Sequence, residues 1–457
     1  MKDNNRQKEN VSEQIIQYVW QHKLYYPHGL TTTTGEQVIV ENAGYPNSNA
    51  GPDYTEARIS IGGIKMVGTV EIHRKASDWY RHSHHTDPAY SSVILHVVLE
   101  SDEEVKTADG RVVPQLQISI PSSILDKINN SLNPPSPFDL PCQSVLPTIP
   151  KLTVHIWLTS IYVQRLQSQV EVINKRRTLC EMNWEKTLFI TIARNFGFGV
   201  NGDVFEEFGN KVSWPAIGKH SDDLEMIEAM FFGVAGLLDD CMIPEFYRAD
   251  AANDEYLARL RRNYNFMKNK FGLESVDPNR WKFLRMRPQN FPHIRIAQLA
   301  MLVYQGKLKF ARMISAENVD ELLELLTTKV SNYWKTHYTF SSTQSKPIDK
   351  CLSIDSRRLI VINSVVPMMF AYGKYKEDYS LMEKAVALVE QLPPEDNNII
   401  RKWKNAGMMP ESAMDSQALI EMMNKMCRCH DCLRCRFGLD FMKSDNQWLW
   451  KEDEPQD

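Results

Sequence analysis

Asp53, Glu71, His73, His82, His84 and His96 all fall between Gly51 and Glu100. With His85 included, five of the chain's 12 histidines lie in that window. Histidine titrates near neutrality and is a common metal ligand, so this crowding points to a site. Two chemistries fit. In the first, Asp53 and Glu71 supply oxygen ligands for magnesium or manganese. Such an ion polarises a phosphate and lowers the pKa of a water. On an extended strand Glu71, His73 and Lys75 share one face. His73 or Lys75 would then activate water or steady the transition state. If His73 binds the ion directly, manganese or zinc suits it better than magnesium. In the second chemistry, His82, His84, His85, Asp87 and His96 form a zinc or manganese hydrolase site, without HExxH spacing. Against both stand plainer readings: a Gly-Pro-Asp turn, a solvent-facing strand, a loop ordered by its own hydrogen bonds, and His96 as a core histidine. Trp79 and Tyr90 would stack on bases or anchor the loop. Glu13 is a further carboxylate on the first helix.

Four of the eight cysteines, Cys427, Cys429, Cys432 and Cys435, lie within nine residues. The polar start, Met1 to Asn10, has no apolar secretory core, so this spacing favours a metal over disulfides. Thiolates suit zinc or an Fe–S cluster. The alternative is reduced, buried thiols.

The elements that must position these groups read as follows. Val11 to Tyr25 predicts a helix with Ile15, Val19 and Trp20 on one face and Ser12 as its cap. Gln37 to Glu41 predicts a strand and Asn42 to Asp53 a loop. Thr55 to Ile61 and Ile64 to His73 flank Gly62-Gly63 as a hairpin. Ser77 to Tyr90 predicts a loop with a short helix, and Val93 to Leu99 an interior strand. Val112 to Ile118 is a further strand. Prolines then crowd residues 134–151, marking a linker. Beyond it the pattern is helical, beginning with Leu158, Tyr162, Leu166 and Val170 on one face. Trp184 to Arg194, Asp222 to Leu238, Asp254 to Lys270, Ile294 to Tyr304, Val319 to Trp334, Arg358 to Tyr372 and Tyr379 to Glu390 follow as helices. Gly197-Phe198-Gly199-Val200-Asn201-Gly202 matches GxGxxG but follows a helix, so it reads as a helix stop.

Net charge is -4 and 43% of residues are hydrophobic. This fits a globular protein of two or three domains, and overall charge gives no argument for a nucleic-acid partner. A local track from Lys175, Arg176, Arg177, Arg259, Arg261, Arg262, Lys268 and Lys270 would be needed; a solvated helix face is the plainer reading. The longest apolar run, Leu359 to Tyr372, is too short and broken to span a bilayer. A cytoplasmic protein is expected.

Gly51-Pro52-Asp53, Val70-Glu71-Ile72-His73, Asp78-Trp79 and Ile94-Leu95-His96-Val97-Val98 resemble motifs of DUF2851, a bacterial family of unknown function. Phe232 to Gly236, Arg285 to Pro292 and Cys432-Leu433-Arg434-Cys435 resemble it too. In that motif Cys427, Cys432 and Cys435 match best, leaving Cys429, His430 or the distant Cys142 as a fourth ligand. Cys142 would fasten the C-terminus to the linker. Pro52-Asp53 and Glu71-Ile72-His73, in the order helix, strand, hairpin, helix, strand, also resemble the PD-(D/E)XK nuclease core. His73 stands where that superfamily usually has lysine, and Lys75 stands two residues on.

The expected architecture is therefore α+β. A restriction-nuclease-like α/β domain (1–133) leads through a Pro-rich linker (134–151) to a helical domain ending in a cysteine knuckle (152–443) and a charged tail (444–457). The resemblance implies a metal-dependent nuclease or a nucleic-acid-binding relative. The alternative is a non-enzymatic interaction or scaffold protein with a structural metal.

Overall fold

The computed structural model describes residues 11–47, 50–132, 140–284, 286–342 and 345–444. The first part of the Pro-rich run (133–139), Arg285 and the tail from 445 lie outside them. The described chain is α+β and forms two compact units. The first combines the chain up to Lys151 with Asn405–Met408 and the segment from Met423 onward. The second takes Leu152–Lys404 and Met409–Met422. The cysteine segment thus groups with the N-terminal unit, not with the helical domain as expected.

In the first unit, α1 (Glu13–Gln21) is amphipathic and buries Ile15, Ile16, Tyr18, Val19 and Trp20. Ser12 holds the cap position but makes no side-chain cap hydrogen bond. Strands β1 (Val38–Asn42), β2 (Tyr45–Pro46), β3 (Tyr54–Ile61) and β4 (Ile64–Lys75) follow. After a short helix α2 (Asp78–Arg81) come β5 (Val93–Glu100), β6 (Gln115–Gln117) and α3 (Ser122–Leu132). The sheet order is β1-β3-β4-β5-β6, with β2 also paired to β3. β1, β3 and β4 run antiparallel, whereas β4, β5 and β6 run parallel.

Side-chain alternation then separates two faces. Val70 and Ile72 of β4, with Leu95, Val97 and Leu99 of β5, enter one core with α1 and α3. Val98 of β5 belongs to a smaller core on the other side, with Trp79, Tyr90 and Val93. Glu71, His73 and His96 have the parity of that second face, and all three are buried.

The stretch expected as a linker is packed where it is described. Leu140, Val145, Leu146 and Ile149 are buried, in or flanking the turns Pro141–Ser144 and Leu146–Thr148.

The second unit is helical. Lys151–Leu179 buries Leu158, Tyr162, Leu166 and Val170, as their spacing predicts. Asn183 caps Trp184–Phe196 by accepting from the Lys186 amide, and Gly197 ends that helix. Val319–Trp334 is not one helix: Val319–Leu325 stops and Asn332–Thr336 starts anew. Around Pro367 the reverse holds. Ile354–Ile360 runs through a π turn, Val361–Val365, into Val366–Lys376. The wider turn lets the chain continue past a residue that donates no hydrogen bond.

Candidate metal centre

β4 runs past the first residue of β3, so its last residues have no β3 partner. Asp53 fills that gap. Its Oδ2 accepts from the Ile72 amide at 3.0 Å, and its own amide donates to Glu71 Oε2 at 3.0 Å. Gln17 on α1 donates to Asp53 Oδ1 at 2.8 Å. A register shift between Tyr54 and Ala57 accompanies this junction, with Glu56 at φ 55. Such bulges bend a strand and re-aim its side chains.

The other carboxylate oxygen of Glu71 faces imidazoles. Oε1 lies 3.2 Å from His84 Nε2 and 3.5 Å from His73 Nε2. His73 Nε2 is also 3.1 Å from His82 Nδ1, and His73 Nδ1 is 2.9 Å from His96 Nε2. His73, His82 and His84 each offer a nitrogen within 4.8 Å of the others. His73 and His84 are buried and His82 is exposed, so the group reaches solvent through His82.

Each imidazole has a positioning element. His73 follows Glu71 by one period of β4, and parallel pairing puts His96 opposite Glu71. Ser83, in a left-handed conformation, turns the chain after α2 so that His84 points inward. The Tyr90 ring stacks on His84 at 3.8 Å, and Trp79 meets His84 and His96 at 5.5 and 5.2 Å. Trp79 is fully buried, so it is a wall of the site and not a platform for bases.

Burial, then His96 and the other imidazoles, hold His73 far below the usual histidine range. Burial, then His84, push His96 down to about 3. These rings are neutral at physiological pH, the form that binds metal. Burial, then Glu71, raise Asp53 to about 7. Burial also raises Glu13, which feels His82, Asp78 and Glu71 from the first turn of α1.

These residues fit a metal ion. Three imidazole nitrogens converge with a Glu71 oxygen against two of them, and buried His84 Nε2 makes no hydrogen bond despite its nearness to Glu71. His96 meets the remaining nitrogen of His73, the outer contact that fixes a ligand's tautomer.

The two candidate groups of the sequence thus merge, with Asp53, Glu71, His73, His82, His84 and His96 brought together. Lys75 is not among them, because its amine pairs with Glu100 at 3.1 Å. His85 packs on Tyr80, and Asp87 caps the turn at Ala89. Gln17 was not expected. Its signal is the i, i+4 spacing from Glu13, which puts two polar residues on one edge of an apolar helix.

Four of the basic residues expected to track a phosphate backbone have partners of their own. Arg176 pairs with Glu206, Arg259 with Glu225, and Arg261 with Asp240. Arg177 is buried against Trp184 and Tyr375. Among the described residues no helix is long and apolar enough to cross a membrane.

No disulfide joins any of the eight cysteines. Cys427 ends the turn Met423–Cys427, Cys432 opens the turn Cys432–Arg434, and Cys435 caps the helix Arg436–Lys443. Cys429 is exposed.

Neither a curated protein nor a solved structure matches the chain. The model of the DUF2851 family, described as a protein of unknown function, matches residues 13–398, which spans the histidine site and stops short of the C-terminal cysteines. That match takes in most of the sequence, and the chain belongs to the DUF2851 family.

Proposed function

We propose that the chain is a metal-dependent phosphodiesterase of nuclease type, with its ion held by Glu71, His73, His82 and His84. The observation that carries this reading is the approach of Glu71 Oε1 to His84 and His73 at 3.2 and 3.5 Å, beside solvent-exposed His82. Support comes from the order of the elements: α1, the β3–β4 hairpin, α2, then β5 parallel to β4. Asp53 and Glu71 occupy the two carboxylate positions that the PD-(D/E)XK resemblance names.

His73 takes the lysine position but acts as a ligand, since both its nitrogens face other imidazoles. A bound divalent ion would supply an acidic water and charge on the phosphate. Imidazole donors favour manganese or zinc over magnesium. Asp53 braces Glu71 through its amide and the strand through Ile72. Glu13, on the rim, is the carboxylate left to accept a proton from the attacking water.

The test is cleavage of mixed DNA and RNA with manganese, zinc or magnesium. Glu71→Ala and His84→Ala should lower the rate by about 100-fold or more, and Lys75→Ala and His85→Ala should leave it nearly unchanged. Ion-dependent binding without cleavage would indicate a nucleic-acid-binding relative. Neither binding nor cleavage would move the assignment to a scaffold protein.

A further inference from the structure

Four cysteines lie on neighbouring elements where the two ends of the first unit close on each other, without three of their sulfurs within 4.8 Å of one another. The turn Pro141–Ser144, carrying Cys142, packs against the helix Arg436–Lys443, whose cap is Cys435. The turn Cys432–Arg434 packs on the same helix and on α3, with Cys432 Sγ 4.0 Å from the Ser131 carbonyl. A Cβ at Gly438 would lie 2.1 Å from the Cys432 carbonyl oxygen, so helix and turn are pressed together. The turn ending in Cys427 packs on the Cys432 turn. Cys142 lies near enough to Cys435, Cys427 and Cys432 to feel their charge.

A second, independent feature points into this cluster. Tyr18 on α1 is only 6% exposed, and its hydroxyl has no hydrogen-bond partner. It sits beside Cys435 and Cys432, which, after burial, raise its pKa. A buried hydroxyl without a partner is costly. A metal-bound thiolate would give this one an acceptor and orient the ligand, as outer contacts do in metal sites.

We propose that Cys142, Cys427, Cys432 and Cys435 bind a thiophilic metal centre, zinc or an iron–sulfur cluster, that clasps the C-terminal segment to the N-terminal unit. Exposed Cys429 is outside the ligand set. The centre is structural and separate from the histidine site, so it stands or falls independently of the proposed hydrolase activity.

The experiment is optical and chemical, on the full chain purified without oxygen. An iron–sulfur cluster shows as visible absorption bleached by dithionite, with iron and sulfide in equal amounts. Zinc shows as a colourless protein that gains thiolate-to-cobalt charge-transfer bands on exchange. Both signals report thiolates and ignore an ion held by histidines. Cys142→Ala should lose most of the signal, and Cys429→Ala should keep it. On wild type, chelation under reducing conditions should lower the melting temperature, and restoring the metal should recover it, which needs no folded variant. Absence of both signals after reconstitution with zinc, or with iron and sulfide, would overturn the proposal. Equal loss in Cys429→Ala and Cys142→Ala would also overturn it.

Discussion

At the scale of single residues, this protein buries titratable groups in both units, and their pKa shifts oppose one another. In the helical unit Glu228 is buried and pushed up to about 7 by burial, although Tyr256 donates to it at 2.8 Å. Its proton uptake on folding stabilises fully below the ordinary value of 4.5, and that contribution is lost as pH rises through about 7. His293 in the same unit is fully buried, has no hydrogen-bond partner at either nitrogen, and is pushed down to about 3. Its contribution is present above 6.5 and lost as pH falls towards 3. Between about pH 5 and 6.5 the two slopes cancel, so this unit's melting temperature should be nearly flat there. Glu228→Gln keeps a polar partner for Tyr256 and removes the falling slope. Its melting temperature should rise with pH over the same range and exceed wild type most above pH 7. Parallel pH profiles for variant and wild type would show that Glu228 ionises near its ordinary value in the folded state.

At the scale of elements, the site depends on the parallel joint between β4 and β5, because that register sets His96 opposite Glu71 and within reach of His73. Gly68 makes the close approach possible: a Cβ there would lie 2.4 Å from Ile94 Cγ2 and 3.0 Å from the Ser92 carbonyl. Gly68→Ala should cost about 1–3 kcal/mol as an overpacked contact. Because the joint carries the histidines, the variant should also weaken manganese or zinc binding, measured by titration calorimetry. Unchanged affinity would mean that the site tolerates a shift in this register. The hairpin and β5 were legible in the sequence because period-two patterning and a Gly-Gly turn act locally. Glu71 and His73 followed from the same periodicity. The union of the β4 pair with His82 and His84 was not legible, since it rests on a left-handed Ser83 and a β3 bulge, which no periodicity announces. Lys75 was placed on the correct face, but strand register gave its amine a nearer partner in Glu100.

At the scale of the whole molecule, the first unit is assembled from both ends of the chain. Local patterning cannot reveal that, which is why the sequence assigned the cysteines to the helical domain. Met442 belongs to the same core as Ile16, Val19 and Ile72, and Phe437 is fully buried. Lys127 on α3 donates to the Phe441 carbonyl at 3.0 Å and to Ser444 Oγ at 2.8 Å, a cation placed at a helix C-terminus. Met442 and Phe437 each contribute about 1.5–3 kcal/mol by burial. Removal of everything after Met422 takes both away and leaves the helical unit's own residues intact. Calorimetry of that truncated chain should show the first unit melting on the order of 10 °C lower, with the helical unit's transition in place. Met442→Ser in the full chain should produce a smaller shift of the same transition. If truncation lowered both transitions equally, the two units would unfold as one cooperative body. If it lowered neither, the C-terminal helix would be a passive cover, and a metal clasp at its base would have nothing to hold.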